Sequence, residues 1–150
     1  PRWRWLPTDA DPRALASIAA WCAGLANVEP PRVLDIATEP WSDLPEALDA
    51  IYCANLIHIA PWPLTGALMR GAARQLAPHG LLLTYGPHIE DDVPTAPSNL
   101  AFDADLRARD PAWGLRRLAD VAREAAACGL ALRERIPMPA NNLLLVWVRG

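Results

Sequence analysis

The chain has 150 residues, 52% of them hydrophobic, and a formal net charge of -3. That length and hydrophobicity suit one globular domain with a core of its own. The acidic balance argues against nucleic acid as a partner. All fourteen basic residues are arginines, which excludes a Schiff-base lysine and a P-loop lysine. No apolar run approaches the length of a spanning helix, so we expect no membrane partner.

The three cysteines, Cys22, Cys53 and Cys128, are widely separated and form no Cys-x-x-Cys pair. This spacing predicts neither a zinc site nor a disulfide framework. Core thiols in a reducing cytoplasm are the expectation, and with them a cytoplasmic location and no bound metal.

The chain begins with an alternating pattern from Pro1 to Pro7 that predicts a strand. No initiator Met precedes it, so we expect further residues upstream of this sequence. A helix is predicted over 13–24, with Asp11 as its N-cap and Gly24 as its C-cap.

The remaining elements alternate along the chain. Strands are predicted at 32–37, 50–54, 81–85, 130–138 and 142–148, and helices at 63–76 and 115–128. The apolar run 50–54 is typical of a strand buried on both faces. The polar stretch 88–111 is predicted to be a loop with a short helical piece, and the last two strands an antiparallel hairpin. Such alternation indicates an α/β fold with a mostly parallel sheet and helices on both faces.

Two polar residues, Asn55 and His58, interrupt an apolar segment just after the strand 50–54. In open α/β sheets, ligands bind beyond the carboxyl ends of the strands. His58 is therefore a candidate general base, and Asn55 a candidate ligand for a cofactor or substrate. The competing interpretation for His58 is a hydrogen-bonded core histidine.

Several sequence words carry a family resemblance that covers nearly the whole chain. They are Asn-Leu-Ile-His-Ile-Ala-Pro-Trp at 55–62, Tyr-Gly-Pro at 85–87, Thr-Ala-Pro-Ser-Asn at 95–99, Leu-Arg-Ala-Arg-Asp-Pro-Ala-Trp-Gly at 106–114 and Met-Pro-Ala-Asn-Asn-Leu at 138–143. With these words the sequence resembles the methyltransferase-like protein 26 family, relatives of the class I S-adenosylmethionine (SAM)-dependent methyltransferases. The resemblance implies a three-layer, Rossmann-like methyltransferase fold in one domain spanning 1–150, with a C-terminal antiparallel hairpin.

The resemblance also implies a cofactor, SAM, and a small-molecule methyl acceptor. His58 is the implied base, and the implied cofactor-binding residues are Asp9, Asp35, Ile36, Asn55 and Leu56. The implied acceptor-binding residues are Tyr85, Ser98, Asn99, Asp103 and Arg107.

Each of these assignments competes with a structural one. Asp9 is expected to accept the ribose hydroxyls, but it could instead cap the first helix. Asp35 is expected at the adenine, but a turn aspartate bonded to its own backbone is the alternative. Arg107 could hold an anionic acceptor, or it could join Asp103 in ion pairs that fasten the loop.

The sequence departs from the family at one motif. It contains no Gly-x-Gly pair, and its first residues match the family's second strand. The first strand and helix are thus missing from this sequence, and we expect them upstream or replaced by a partner. A second hypothesis follows, a non-catalytic methyltransferase-like module that binds a partner or forms a homodimer. The residues His88, Glu90, Asp91 and Asp92 are interpreted as an exposed acidic loop tip.

Overall fold

The described part of the first compact unit contains two short paired strands and one helix. The computed structural model describes residues 3–150, which divide into a unit ending at Trp41 and a unit starting at Ser42. In the first unit, β1 (Thr8–Asp9) pairs in parallel with β2 (Arg32–Val33). The single domain spanning 1–150 stays a prediction.

The prediction of a strand over Pro1–Pro7 is wrong for residues 3–7, which form no strand in the structure. Residues 1 and 2 lie outside the described part of the chain. In place of a strand, Trp5 forms an isolated parallel bridge to Val28. Prolines supply the physical reason, because they lack the N–H that a ladder requires. Pro7 interrupts one side of the ladder, and a pair of prolines at 30–31 interrupts the other.

Helix α1 (Ala14–Trp21) is shorter than predicted and lacks the predicted cap. Its N-cap residue is Arg13, which makes no side-chain capping bond. The Asp11 carboxylate instead accepts the backbone N–H of Arg13 at 2.9 Å and pairs with the Arg13 guanidinium at 2.8 Å. Asp11 therefore closes a turn ahead of the helix. Gly24 follows the helix with a φ of 82°, in keeping with its predicted place near the C-terminus.

The second unit contains a four-stranded sheet and three helices. Its elements are β3 (Leu48–Ala54), α2 (Pro63–Gln75), β4 (Leu76–Gly86), β5 (His88–Ile89), α3 (Pro97–Arg109), β6 (Arg116–Arg117), α4 (Leu118–Ala127), β7 (Leu130–Met138) and β8 (Asn142–Arg149). The sheet order is β3-β4-β8-β7, and β5 pairs separately with β6. The pair β3–β4 is parallel and the hairpin β7–β8 antiparallel, which confirms the predicted α/β pattern and the closing hairpin.

The described helices are short. The longest, α2 and α3, have 13 residues each, about 20 Å of helix. Within residues 3–150, no helix combines the length and the apolarity needed to cross a bilayer.

The core of the second unit lies on one face of β4 and β8. Leu82 pairs with Trp147 and Thr84 with Leu145, so these four side chains share a face. All four are at most 1% exposed. Helices α2 and α4 pack against each other, and α2 contributes seven buried residues from 65 to 72. Burying each large side chain contributes about 2–3 kcal/mol, so this layer supports the strands that position the site.

Among the described residues, β3 lies at the edge of its sheet and pairs with β4 alone. Tyr52 of β3 is 48% exposed, so the expectation that both faces of this strand are buried is wrong for this structure. Cys53 points to the covered side, where burial raises the pKa of its thiol to about 11. All three cysteines are free thiols and half-buried, so the expectation of core thiols is met only in part.

One buried hydrogen bond tests this core. The indole N–H of Trp147 donates to the Thr84 hydroxyl at 3.0 Å. Thr84→Val keeps the shape but leaves the indole N–H unpaired, so it should lower the free energy of unfolding by about 1–3 kcal/mol in urea titrations. Thr84→Ser keeps the hydroxyl and should cost less than Thr84→Val. The exposed Thr8→Val is the matched control. A Thr84→Val protein at least as stable as Thr84→Ser would contradict this role.

Candidate functional site

The loop that follows β3 brings Asn55 and His58 to the carboxyl ends of β3 and β4. Asn55 has a φ of 55°, a left-handed conformation that Asn tolerates. Its N–H donates to the Tyr85 carbonyl at 2.8 Å, so the last bond of the β3–β4 pair sets the turn. His58 follows and is 4% exposed. The predicted juxtaposition of a polar loop with the ends of these strands is therefore present.

The His58 ring lies against the end of β4 because Gly86 has no side chain. A Cβ at Gly86 would lie 2.9 Å from the imidazole Cε1 and 3.0 Å from Nδ1. Phe102 of α3 meets the ring edge-on, with the centroids 5.6 Å apart. The imidazole is thus held between a strand end and an aromatic ring that is itself 37% exposed.

The segment 112–116 fastens the His58 loop from outside. The Gly114 N–H donates to the His58 carbonyl at 3.0 Å. The Arg116 guanidinium donates to the Ala60 carbonyl at 2.9 Å and to the Ile57 carbonyl at 3.4 Å. Arg116 was not among the predicted site residues. The signal that could have found it is its place two residues after the word 106–114.

The environment of His58 favours the neutral imidazole. Burial lowers the pKa of His58, and the positive charge of Arg116 lowers it further. A neutral imidazole can accept a proton near pH 7, as general base catalysis requires.

The interpretation of His88 as part of an exposed tip is wrong. His88 is 7% exposed, because β5 pairs it with Arg116 of β6. Burial lowers the pKa of His88 to about 4, and the nearby charge of His58 acts in the same direction. Its Nδ1 is buried and has no hydrogen-bond partner among the described residues. Asp91 and Asp92 do lie exposed.

Two predicted acceptor-binding residues are bonded to the hairpin turn. The Asn99 side-chain amide donates to the Asn141 carbonyl at 3.0 Å, and Asn99 is 7% exposed. The Asn141 amide in turn donates to the Ser98 hydroxyl at 3.2 Å. These bonds tie the start of α3 to the β7–β8 turn, so both residues have a structural task here. Tyr85 is half-buried on β4 beside Ala54.

Asp103 and Arg107 form an ion pair on α3, the alternative considered from the sequence. Arg107 Nε donates to Asp103 Oδ2 at 2.9 Å, and the Leu115 N–H donates to Asp103 Oδ1 at 2.6 Å. Burial alone would raise the pKa of Asp103, but these hydrogen bonds hold it below its ordinary value. The pair therefore anchors the segment 112–116 to α3.

In the first unit, Asp9 and Asp35 each bond to a local turn. Asp9 Oδ1 accepts the N–H of Asp11 at 2.8 Å, and Asp35 Oδ1 accepts the N–H of Ala37 at 2.9 Å. Both residues are exposed, and Ile36 is half-buried. Neither aspartate caps α1, and their roles at a cofactor stay predictions.

The described strands and helices form a Rossmann-like fold of the kind found in class I methyltransferases. An O-methyltransferase family 2 protein from Planctomyces limnophilus, solved with apigenin, matches with a TM-score of 0.81 and 21% identity over 99% of this chain and 44% of its own. The mitomycin 7-O-methyltransferase MmcR matches with a TM-score of 0.79 and 18% identity over 98% of this chain and 42% of its own. LepI, solved with SAM, matches with a TM-score of 0.78 and 12% identity over 98% of this chain and 36% of its own.

The chain belongs to DUF938, a family of proteins of unknown function, which matches residues 1–149. It spans only 36% to 44% of the length of the three similar structures. At identities this low, the likeness shows the fold, and the chemistry has to be argued from the residues.

The contact between Gly86 and His58 gives a test of the site. Gly86→Ala should lower the free energy of unfolding by about 2 kcal/mol or more, because the new methyl overlaps the imidazole and Gly86 has a φ of 156°. Urea titrations should show a smaller loss when the substitution is made in a His58→Ala background. Gly129→Ala, with a φ of 81° and open space around the new Cβ, is the control for backbone strain alone. Equal losses in both backgrounds would contradict the packing.

The buried histidines also predict a dependence of stability on pH. The ordinary histidine pKa is 6.5 and that of folded His88 is about 4, so between these values the unfolded chain binds more protons. The free energy of unfolding should therefore rise with pH from about 4 to about 6.5. Urea unfolding across this range measures the slope, and His88→Gln should flatten it. His79→Asn, at an exposed position with a φ of 63° that Asn tolerates, should retain it. A flat wild-type profile would overturn the prediction.

Proposed function

We propose that this protein is a SAM-dependent methyltransferase that transfers a methyl group to a small-molecule acceptor. The observation that carries the proposal is the buried His58 imidazole, held neutral at the carboxyl ends of β3 and β4. In open α/β sheets this edge is where ligands bind. The sequence resemblance to the methyltransferase-like protein 26 family and the fold shared with O-methyltransferases support the same assignment.

In this mechanism, His58 would take the proton from the acceptor's nucleophilic atom as that atom is methylated. Bound SAM would supply the electrophilic methyl group, with S-adenosylhomocysteine as the leaving group. Methyl transfer depends mainly on placing the two reactants in line, so one base suffices. The lowered pKa of His58 keeps the ring ready to accept that proton at neutral pH.

The donors and acceptors on this chain are chemically suited to SAM. Asp9 is an exposed carboxylate at the end of β1, and such a group can accept hydrogen bonds from ribose hydroxyls. Asp35 would accept a hydrogen bond from the adenine amino group, and Ile36 would contact the face of the adenine ring. Asn55 and Leu56 would contact the cofactor from the loop after β3. These five assignments are part of the proposal, and each can be tested by substitution.

The acceptor would lie against the exposed part of Phe102, because this ring borders His58. Asp103 and Arg107 enter the proposal mainly as the anchors of the neighbouring segment. Tyr85, Ser98 and Asn99 are retained as candidate acceptor contacts. Homodimerisation likewise remains a proposal.

Binding and turnover test this function separately. The full-length protein should bind SAM in a calorimetric titration and transfer a labelled methyl group to one or more members of a panel of hydroxylated aromatic compounds that includes apigenin. His58→Gln should lower turnover by about 10²- to 10⁴-fold because the base is lost, with SAM affinity unchanged. His79→Asn is the matched control.

Three outcomes are informative. Loss of turnover without loss of SAM binding supports His58 as the base. Unchanged turnover in His58→Gln would remove His58 from the mechanism. No heat and no thermal shift at millimolar SAM would contradict the enzyme and favour the non-catalytic module.

A further inference from the structure

The His58 loop has buried carbonyl groups that no neighbouring turn satisfies. The segment 57–60 includes three residues that are at most 6% exposed: Ile57, His58 and Ala60. Buried backbone carbonyls require donors, because an unpaired one costs free energy comparable to a lost hydrogen bond. All three carbonyls find those donors in one place, the segment 114–116.

Arg116 supplies two of these bonds from a single side chain. Its Nη2 donates to the Ala60 carbonyl at 2.9 Å and its Nε donates to the Ile57 carbonyl at 3.4 Å. The two carbonyls lie on either side of His58 in the chain. Gly114 completes the contact, since its N–H donates to the carbonyl of His58 itself at 3.0 Å. The loop is thus gripped before, at and after the imidazole-bearing residue.

The grip is itself held in place. Gly114 has a φ of 135°, and a Cβ there would lie 2.6 Å from the Arg107 guanidinium carbon and 2.7 Å from Asp103 Oδ1. Asp103 accepts the Leu115 N–H at 2.6 Å, between the two gripping residues. Pairing of β6 with β5 fixes the backbone of Arg116. The guanidinium also donates to the carbonyl of Ala112 at 2.6 Å, so its orientation is fixed on the near side as well.

The guanidinium is suited to this task in a way that a lysine ammonium is not. Its planar fork points donors in fixed, divergent directions and can reach carbonyls on both sides of one residue. The guanidinium carbon Cζ of Arg116 lies 5.7 Å from the centroid of the Trp62 ring, which is within cation–π distance. Burial is the main cause that lowers the pKa of Arg116, yet an arginine remains charged at any working pH.

We propose that Arg116 is a positioning residue that clamps the loop 57–60 and so fixes the His58 imidazole at the end of β4. The role deepens the proposed function and rests on it for its catalytic meaning. The clamp itself is a statement about hydrogen bonds, and measurements without SAM can test it.

The charged groups around His58 and His88 determine how loss of the Arg116 clamp changes the titration of His58. His58 is faced by Arg116 and by His88. Beyond them, Glu90 acts on His88, and the pair Asp103–Arg107 acts on Arg116. Removing the guanidinium leaves the other groups in place, so a change in the titration of His58 can be attributed to Arg116.

Three variants separate charge, geometry and general stability. Arg116→Gln removes the charge and the fork, whereas Arg116→Lys keeps the charge and removes the fork. Arg117→Gln is the matched control, since Arg117 is the next residue and pairs with Asp91 instead. Only three histidines are present, so NMR of their ring protons resolves His58, with His58→Gln as the assignment standard. Amide hydrogen exchange of Gly114 reports the bond to the His58 carbonyl.

The clamp predicts a distinct result for each variant. In Arg116→Gln, His58 should titrate at higher pH than in the wild type, and the Gly114 amide should exchange at least about 10-fold faster. In Arg116→Lys, exchange should accelerate while His58 titrates closer to the wild-type pH. Arg117→Gln should change neither. Wild-type titration and wild-type exchange in Arg116→Gln would overturn the proposal, and so would the same changes in Arg117→Gln.

Activity separates this proposal from the proposed function. If the protein methylates an acceptor, Arg116→Gln should lower kcat by about 10-fold or more with little change in KM for SAM, since the base and not the cofactor is displaced. If no methylation or SAM binding is found, the titration and exchange results still decide whether the clamp exists. Altered titration with unaltered kcat in an active enzyme would show that Arg116 does not position the base.

Discussion

The register of β4 against its two neighbours is the constraint on which the rest of the second unit depends. β4 pairs in parallel with β3 and antiparallel with β8, so neither of its edges is free. The pairing of Ala54 with Tyr85 places the end of β3 directly beside Gly86. A shift of one residue would put a side chain where the His58 ring now packs and would turn Thr84 away from Trp147. One register therefore fixes both the core and the position of the imidazole.

The site is assembled from segments that are far apart in sequence. His58 lies in the loop after β3, Phe102 belongs to α3, and Arg116 belongs to β6. No described strand or helix contains more than one of these residues, so the arrangement exists only when the unit is folded. Such a division of labour is typical of functional loops on a rigid sheet. It also explains why the Asp103–Arg107 ion pair on α3 bears on the position of the His58 ring, since Asp103 holds the backbone of Leu115.

How far the sequence predicts this structure depends on the range of the interactions involved. Periodicity located α2 and both strands of the hairpin β7–β8 to within one residue, because both patterns are local. Periodicity failed at Pro1–Pro7, where an alternating pattern predicts a strand but proline lacks the N–H that strand pairing requires. It also misplaced His88, whose burial depends on pairing with a segment 28 residues further along. Arg116 was missed for the same reason: its partners lie 56 and 59 residues earlier in the chain.

The thiol of Cys53 lies on the covered side of β3, and its reactivity depends on the pairing of that strand. The thiolate is the form that reacts with alkylating reagents, and a pKa of about 11 in place of 9.0 reduces its fraction by about 100-fold. Separation of β3 from β4 would return the thiol to water and remove that protection. The rate at which Cys53 is alkylated therefore depends on how often β3 separates from β4. Alkylation of Cys53 therefore measures local opening of β3, the strand that leads into the His58 loop.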